Sequence, residues 1–269
     1  MDHSQQESGV AGGPVLVDSH AHLDLCGDDP SATVKEAREA GLGRILAVGI
    51  DLDSSRRAVD QASRFPEVLA CVGIHPNEAA GADDAAFAEL EQLARSPRCA
   101  AIGETGLDYY RDRSPREVQV AAFMRHLELA RATGLPLVVH TREAAADTMR
   151  ILAENADGIT VVLHCFSLSE EVAECARRGY YMSLAGNVTF KNAANLRGAA
   201  VDIPPELLLT ETDSPFLTPV PYRGQPNRPA HVGLVTACLA RERGVALTGL
   251  AAQVLTNYDR VFSPARASA

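Results

Sequence analysis

Lysine is nearly missing from this chain of 269 residues, occurring only at Lys35 and Lys191. Arginine carries most of the basic charge, and 25 basic residues stand against 35 acidic ones, a formal net charge of -10. A protein that coats a polyanion over a long track shows the opposite balance, so any contact with nucleic acid is expected to be local. No C-x-x-C pair occurs among the cysteines, Cys26, Cys71, Cys99, Cys165, Cys175 and Cys238, which excludes a zinc ribbon and a thioredoxin-type motif. Most of them sit in or beside apolar runs and read as small buried hydrophobes. No apolar run approaches the roughly 20 residues that span a bilayer. The N-terminal "MDHSQQESGVAGGP" has neither a basic start nor an apolar segment, so a signal peptide is not expected. The expected setting is the reducing cytoplasm, away from membranes and with no obligate protein partner. No G-x-G-x-x-G follows the first apolar run, and neither a repeat nor an internal linker is visible.

What is present is a large hydrophobic fraction, 46%, enough to exclude wholesale disorder and to build one big domain. That domain is expected over residues 14–262, between a polar, Gly-rich tail at 1–13, which holds a functionless His3, and a frayed tail at 263–269. Inside it eight apolar runs recur: "PVLVD", "RILAVGI", "VLACVGI", "RCAAIGE", "LPLVVH", "ITVVLH", "YYMSLAG" and "ELLLTETD". They are continuous rather than alternating, as in parallel strands buried on both faces. Helix signals lie between them. In "SPREVQVAAFMRHLELARATG", Ser114 is the expected N-cap, with Pro115 at the first position, Glu117 three residues after the cap and Gly134 as the stop. In "SEEVAECARRG", Ser169 and two glutamates open a helix, and two arginines with Gly179 close it. Runs alternating with helices predict an α/β fold, the (β/α)8 TIM barrel. An open doubly wound sheet is the competitor, and the missing glycine fingerprint counts against it.

In such a barrel the C-terminal strand ends form the mouth where chemistry is done. "VDSHAHLD", residues 17–24, closes the first run. In extended backbone residues i and i+2 face one side, so His20 and His22 can meet at one point. Glu104 ends the fourth run in "AIGETGLDYY", His140 the fifth, His164 the sixth, and Asp213 the eighth in "LLLTETDSP". Scattered structural histidines have no reason to repeat that placement; metal ligands do. Four histidines and two carboxylates exceed the three protein ligands of a typical catalytic zinc. Two divalent ions about 3.5–4 Å apart, bridged by a carboxylate, use all six, and Glu104, central among the strands, is the natural bridge. Zn, Mn, Ni and Mg are all compatible with such a mixed donor set.

From about residue 15 to residue 260 the chain resembles the TatD-type metal-dependent deoxyribonucleases of the amidohydrolase superfamily. The resemblance rests on "DSHAHLD", "GIHP", "IGETGLDYY", "LPLVVHTREA", "HCFS", "VTFKNA" and "ETDSP", in that order. It implies His20, His22 and Asp213 on one metal, His140 and His164 on the other, and Glu104 bridging. It also implies hydrolysis of phosphodiesters in DNA, and it favours the 3′ end. Three positions depart from the family's pattern: Asn77, where a second histidine often follows "GIHP"; Leu168, where Gly commonly follows "HCFS"; and Arg228, where "PNRPAH" usually has an acidic residue. Substrate preference is where those departures would act.

Two divalent cations against two carboxylates leave the site locally positive, so an acidic protein can receive a phosphate. The metals activate a water, and Asp213 beside it is expected to accept its proton, making Glu104 and Asp213 the catalytic carboxylates. His75 is read as a substrate contact or as a turn stabiliser beside Pro76. Arg142 is a bidentate phosphate contact or the partner of a helix-start salt bridge. The resemblance makes Lys191 a phosphate contact. The loop "TPVPYRGQPNRPAH" offers a substrate wall with Tyr222, Arg223 and Arg228. Asp108 and its neighbouring tyrosines orient ligands or pack; His126 reads as a surface or packing residue, and His231 has no assigned role. The acidic surface suits an exodeoxyribonuclease on single-stranded or frayed ends. The rivals are a C–N or ester hydrolase of the same superfamily acting on a small molecule, and a binding protein without catalysis. Glu104, where many such hydrolases carry a carboxylated lysine, argues against the first; the complete ligand set argues against the second.

Overall fold

The computed structural model describes residues 13–27 and 29–262, so the expected tails, Gly13 apart, lie outside the described residues. Eight strands form: β1 (Leu16–Ala21), β2 (Leu42–Val48), β3 (Val68–Val72), β4 (Cys99–Asp108), β5 (Leu137–Arg142), β6 (Val161–Leu163), β7 (Tyr181–Leu184) and β8 (Leu208–Thr210). Each comes from one of the eight apolar runs, and each pairs in parallel with its sequence neighbour. Between β8 and β1, Asp213 N–H donates to His20 O and His22 N–H to Ser214 O, both at 2.9 Å. Beneath them the Thr210 hydroxyl donates to Val17 O and the Thr212 hydroxyl to the Asp18 carboxyl. The sheet is a nearly closed (β/α)8 barrel. Burying each fully enclosed side chain such as Leu46, Ile102 or Leu137 contributes about 1.5–3 kcal/mol.

The helices ring the sheet: α1 (Pro30–Glu39), α2 (Leu52–Arg64), α3 (Asp84–Ala94), α4 (Arg116–Thr133), α5 (Ala145–Asn155), α6 (Val172–Arg178), α7 (Ala194–Asp202), α8 (Val232–Glu242) and α9 (Leu247–Phe262). Among the described residues, no helix is long and apolar enough to cross a membrane. Helix α4 buries Gln119, Ala122, Phe123, His126, Leu127 and Ala130, a stripe at three- and four-residue spacing. It starts one residue later than expected. Pro115 takes an extended ψ of 142° and is itself the N-cap, so the helix opens at Arg116 and the Ser114 side chain is engaged elsewhere. Its hydroxyl donates to Asn77 O and accepts from Ala80 N–H, tying the start of α4 to the turn after β3. Ser169 likewise begins a short tight turn, and α6 proper opens at Val172.

His126 packs inside the protein. Its Nε2 accepts from Ile74 N–H at 3.0 Å and its Nδ1 faces Ala122 O at 2.7 Å. Burial pushes its pKa from the usual 6.5 down to about 4. The unfolded chain takes up this proton first, so the contribution is full above pH 6.5 and is lost as pH falls towards 4, about 3 kcal/mol in all. The stability margin of wild type over His126→Gln, measured by denaturant unfolding, should therefore shrink between pH 7 and 4.5. Parallel profiles would refute this.

Two register breaks position the mouth. Between the pairs Ile102↔Leu137 and Thr105↔Val139, β4 advances three residues while β5 advances two, a bulge that carries Glu104. Gly103 and Gly106 flank it at φ +140° and +129°, where a Cβ would collide with the carbonyls of Val138 and His140. A second bulge lies between Asp18 and Ala21 of β1 and carries His20.

Candidate active site at the barrel mouth

Strands β1, β4 and β5, the residue after β6 and the turn after β8 bring His20, His22, Glu104, His140, His164 and Asp213 together. Glu104 stands in the middle with its oxygens facing different partners. Oε2 lies 3.3 Å from Nε2 of His20 and 3.7 Å from Nε2 of His22. Oε1 lies 2.9 Å from both Nδ1 of His140 and Nε2 of His164. Asp213 Oδ1 joins the first group, 3.4 Å from His22 Nε2 and 3.9 Å from His20 Nε2. Its backbone takes the left-handed φ of +54°, held by the bond to His20 O and by its own carbonyl, which accepts from Phe216 N–H at 2.8 Å.

Which nitrogen of each ring can take a cation follows from what the other nitrogen faces. Nδ1 of His22 is 3.0 Å from Val48 O, which only accepts, so the proton sits there and Nε2 presents a lone pair. Nδ1 of His164 is 3.2 Å from Glu211 Oε1, which leaves Nε2 free. Nε2 of His140 is 3.5 Å from Asp108 Oδ2, which leaves Nδ1 free. The free nitrogens of His140 and His164 then lie 3.3 Å apart, both aimed at Glu104 Oε1. Electron pairs facing one another without a proton repel, and a cation among them satisfies all three. His20 strengthens the fit, because it is fully buried and neither ring nitrogen has a hydrogen-bond partner. This donor set suits divalent metal.

His75, Glu104 and His140 also come close enough to form a third trio, but chemistry separates His75 from the rest. Its Nδ1 accepts from Asn77 N–H at 3.1 Å, so the proton of the neutral ring lies on Nε2, 3.6 Å from Glu104 Oε1. Burial pushes its pKa down to about 3, which keeps the ring neutral. His75 thus stabilises the turn beside Pro76 and points a donor at the carboxylate.

Glu211 also belongs to the cluster, although the sequence reading did not single it out. It is fully buried, accepts from Cys165 N–H at 2.8 Å, orients His164, and has a second oxygen with no partner. With His20 and His164 it forms another trio of metal-ligating groups. The signal was available: Glu211 and Asp213 are i and i+2, the same spacing that singled out His20 and His22. Asp108 faces His140, and Asn77 Nδ2 donates to it at 3.0 Å, so the departure at Asn77 is wired to the site. Leu168 packs against the main core.

The expected substrate contacts lie around the rim, in different states. The Arg142 guanidinium covers the Tyr110 ring at 3.9 Å and Arg223 covers Phe190 at 3.8 Å. Lys191 is exposed. Arg228 pairs with Glu36 of α1, 2.9 Å away. His231 stacks on Tyr222 with ring centres 4.7 Å apart. All six thiols are free, with Cys71, Cys99, Cys175 and Cys238 buried and Cys26 and Cys165 half-buried.

A parallel barrel whose imidazoles and carboxylates face one another across its C-terminal mouth is the architecture of a metal-dependent hydrolase. Within that class, the chain belongs to the TatD related DNase family, which matches residues 17–263. It is 42% identical over 224 residues to the uncharacterized metal-dependent hydrolase TatD of Mycobacterium tuberculosis, covering 80% of this chain and 85% of that protein. It is 34% identical over 241 residues to a Klebsiella pneumoniae protein named 3′-5′ ssDNA/RNA exonuclease TatD, covering 87% and 92%. The crystal structure of the TatD homologue YJJV from Escherichia coli superposes with a TM-score of 0.88 at 28% identity, covering 93% of this chain and 98% of that one.

Proposed function

We propose that the chain is a 3′–5′ exodeoxyribonuclease that hydrolyses phosphodiesters at single-stranded or frayed DNA ends with two divalent ions, in the cytoplasm. The observation that carries this reading is the division of Glu104, with one oxygen towards His20 and His22 and the other towards His140 and His164. His20, His22 and Asp213 would hold one ion, His140 and His164 the other, with Glu104 between them. Bound there, the ions supply Lewis acidity towards a phosphoryl oxygen and towards the attacking water. Asp213 accepts the proton of that water at its carboxylate. Glu211, Asp108 and Val48 O keep the imidazole protons on the far side of the rings. Arg142, Lys191 and Arg223 meet the flanking phosphates. The name of the Klebsiella relative, a 3′-5′ ssDNA/RNA exonuclease, supports the polarity and the action on single strands, and the net charge of -10 disfavours a long duplex tract.

The test compares linear with circular single-stranded DNA across a salt series, after stripping the protein and adding back Zn, Mn, Mg or Ni, beside a panel of amides and lactones. The expected result is consumption of the linear form from its 3′ end, with two or three phosphate contacts giving a shallow slope of about -0.7 each. Equal rates on circles, a steep slope, or turnover of amides alone would sink the proposal.

A further inference from the structure

Exposed aromatic rings are not spread over this surface. Among the described residues all three, Tyr110, Phe216 and Tyr222, lie on the loops that follow β4 and β8 at the barrel mouth. Two of them already have a face covered, Tyr110 by the Arg142 guanidinium and Tyr222 by His231. Phe216 does not. It is 51% exposed, and the contact its ring makes is edge-on, with His22, 5.9 Å between centres and tilted by 70°.

Leaving a phenyl ring half in water has a cost that its surroundings could easily remove, and the backbone here holds the ring where it is. Phe216 N–H donates to Asp213 O at 2.8 Å. The fully buried Asn227 donates through Nδ2 to Phe216 O at 2.7 Å and to Thr212 O at 2.9 Å, and through its backbone N–H to Pro215 O at 3.0 Å. The backbone that carries the ring is therefore held three residues from Asp213, and the ring lies edge-on to His22 at the edge of the proposed hydrolytic site. Every nucleobase has a π face, and a phenyl ring on a held backbone has only two torsions to order when a base stacks on it.

We infer that Phe216 is the stacking platform for the base of the nucleotide whose phosphodiester is hydrolysed, and so selects nucleic acid over simple phosphate diesters. This rests on the phosphodiesterase reading above. A base held on Phe216 fixes its own sugar and the phosphodiester on the 5′ side of that sugar, so the selection acts where the bond breaks. The two arginines stacked on Tyr110 and Phe190 flank the same mouth with cationic faces, suited to the phosphates on either side.

The test uses full-length metal-loaded protein and two 3′ ends that differ in one feature, a normal terminal nucleotide or an abasic tetrahydrofuran residue in its place. Base–aromatic stacking typically corresponds to about tenfold or more in this comparison. Wild type should prefer the base-bearing end by about that factor in kcat/KM. The preference should collapse towards one in Phe216→Ala and return in Phe216→Trp, with thermal midpoints of both variants confirming that they fold. A Phe216→Ala enzyme that keeps the preference, or a wild type indifferent to the base, overturns the assignment. A wild type that cleaves neither end overturns the phosphodiesterase reading itself, and this inference with it.

Discussion

Glu104→Gln is expected to lower kcat by about 10³-fold or more, the scale of losing a central electrostatic group, and to lower bound metal measured on the purified protein. The reason is the symmetry of its environment. Each carboxylate oxygen faces a different group of imidazole lone pairs, and an amide can serve one side only. Its NH2 then points donors either at His20 and His22 or at His140 and His164, and occupies the ring lone pairs that a cation would need. The fold should survive, because glutamine matches glutamate in shape and Gly103 and Gly106 still pass close to β5. Turnover and metal content near those of wild type would remove Glu104 from the centre of the mechanism.

Asp213→Asn should also lose about 10³-fold in kcat, but with the fold and part of the bound metal retained. Asparagine tolerates the left-handed backbone better than almost any residue except glycine, so the φ of +54° at this position should not disturb the variant. The amide oxygen can still approach His22, and what disappears is the charge and the capacity to accept a proton. Single-turnover rates at matched metal occupancy separate that loss from weaker loading. A rate within tenfold of wild type would show that the proton goes elsewhere.

The barrel was legible because each buried parallel strand must be a continuous apolar run, and all eight runs became strands. The ends were less so. Ser114 has the residue type and spacing of a cap, yet its hydroxyl is taken by Asn77 O and Ala80 N–H of the turn after β3, long-range partners that the local pattern does not show. The alternation rule gathered His20 and His22, but it could not show the bulges in β1 and β4, which depend on pairing with a neighbouring strand. Glu211 was overlooked because "ETDSP" was read for one carboxylate. Asn77 and Arg228 were visible as departures, but their partners, Asp108 and Glu36, are long-range neighbours that no local pattern reports.

The seam between β8 and β1 ties the beginning of the domain to its last third: Asp213 bonds to His20, Ser214 to His22 and Thr212 to Asp18. For a chain emerging from the ribosome this sets an order of events. All eight strands, Glu104 and all four histidines of the site are synthesised before Glu211 and Asp213, so the early imidazoles wait without those two carboxylates. Closing a loop of this length is entropically slow and becomes favourable only when many contacts form together. Barrel closure and completion of the candidate site are therefore one late step, and until it occurs the nascent protein holds most of the site's side chains without their final arrangement.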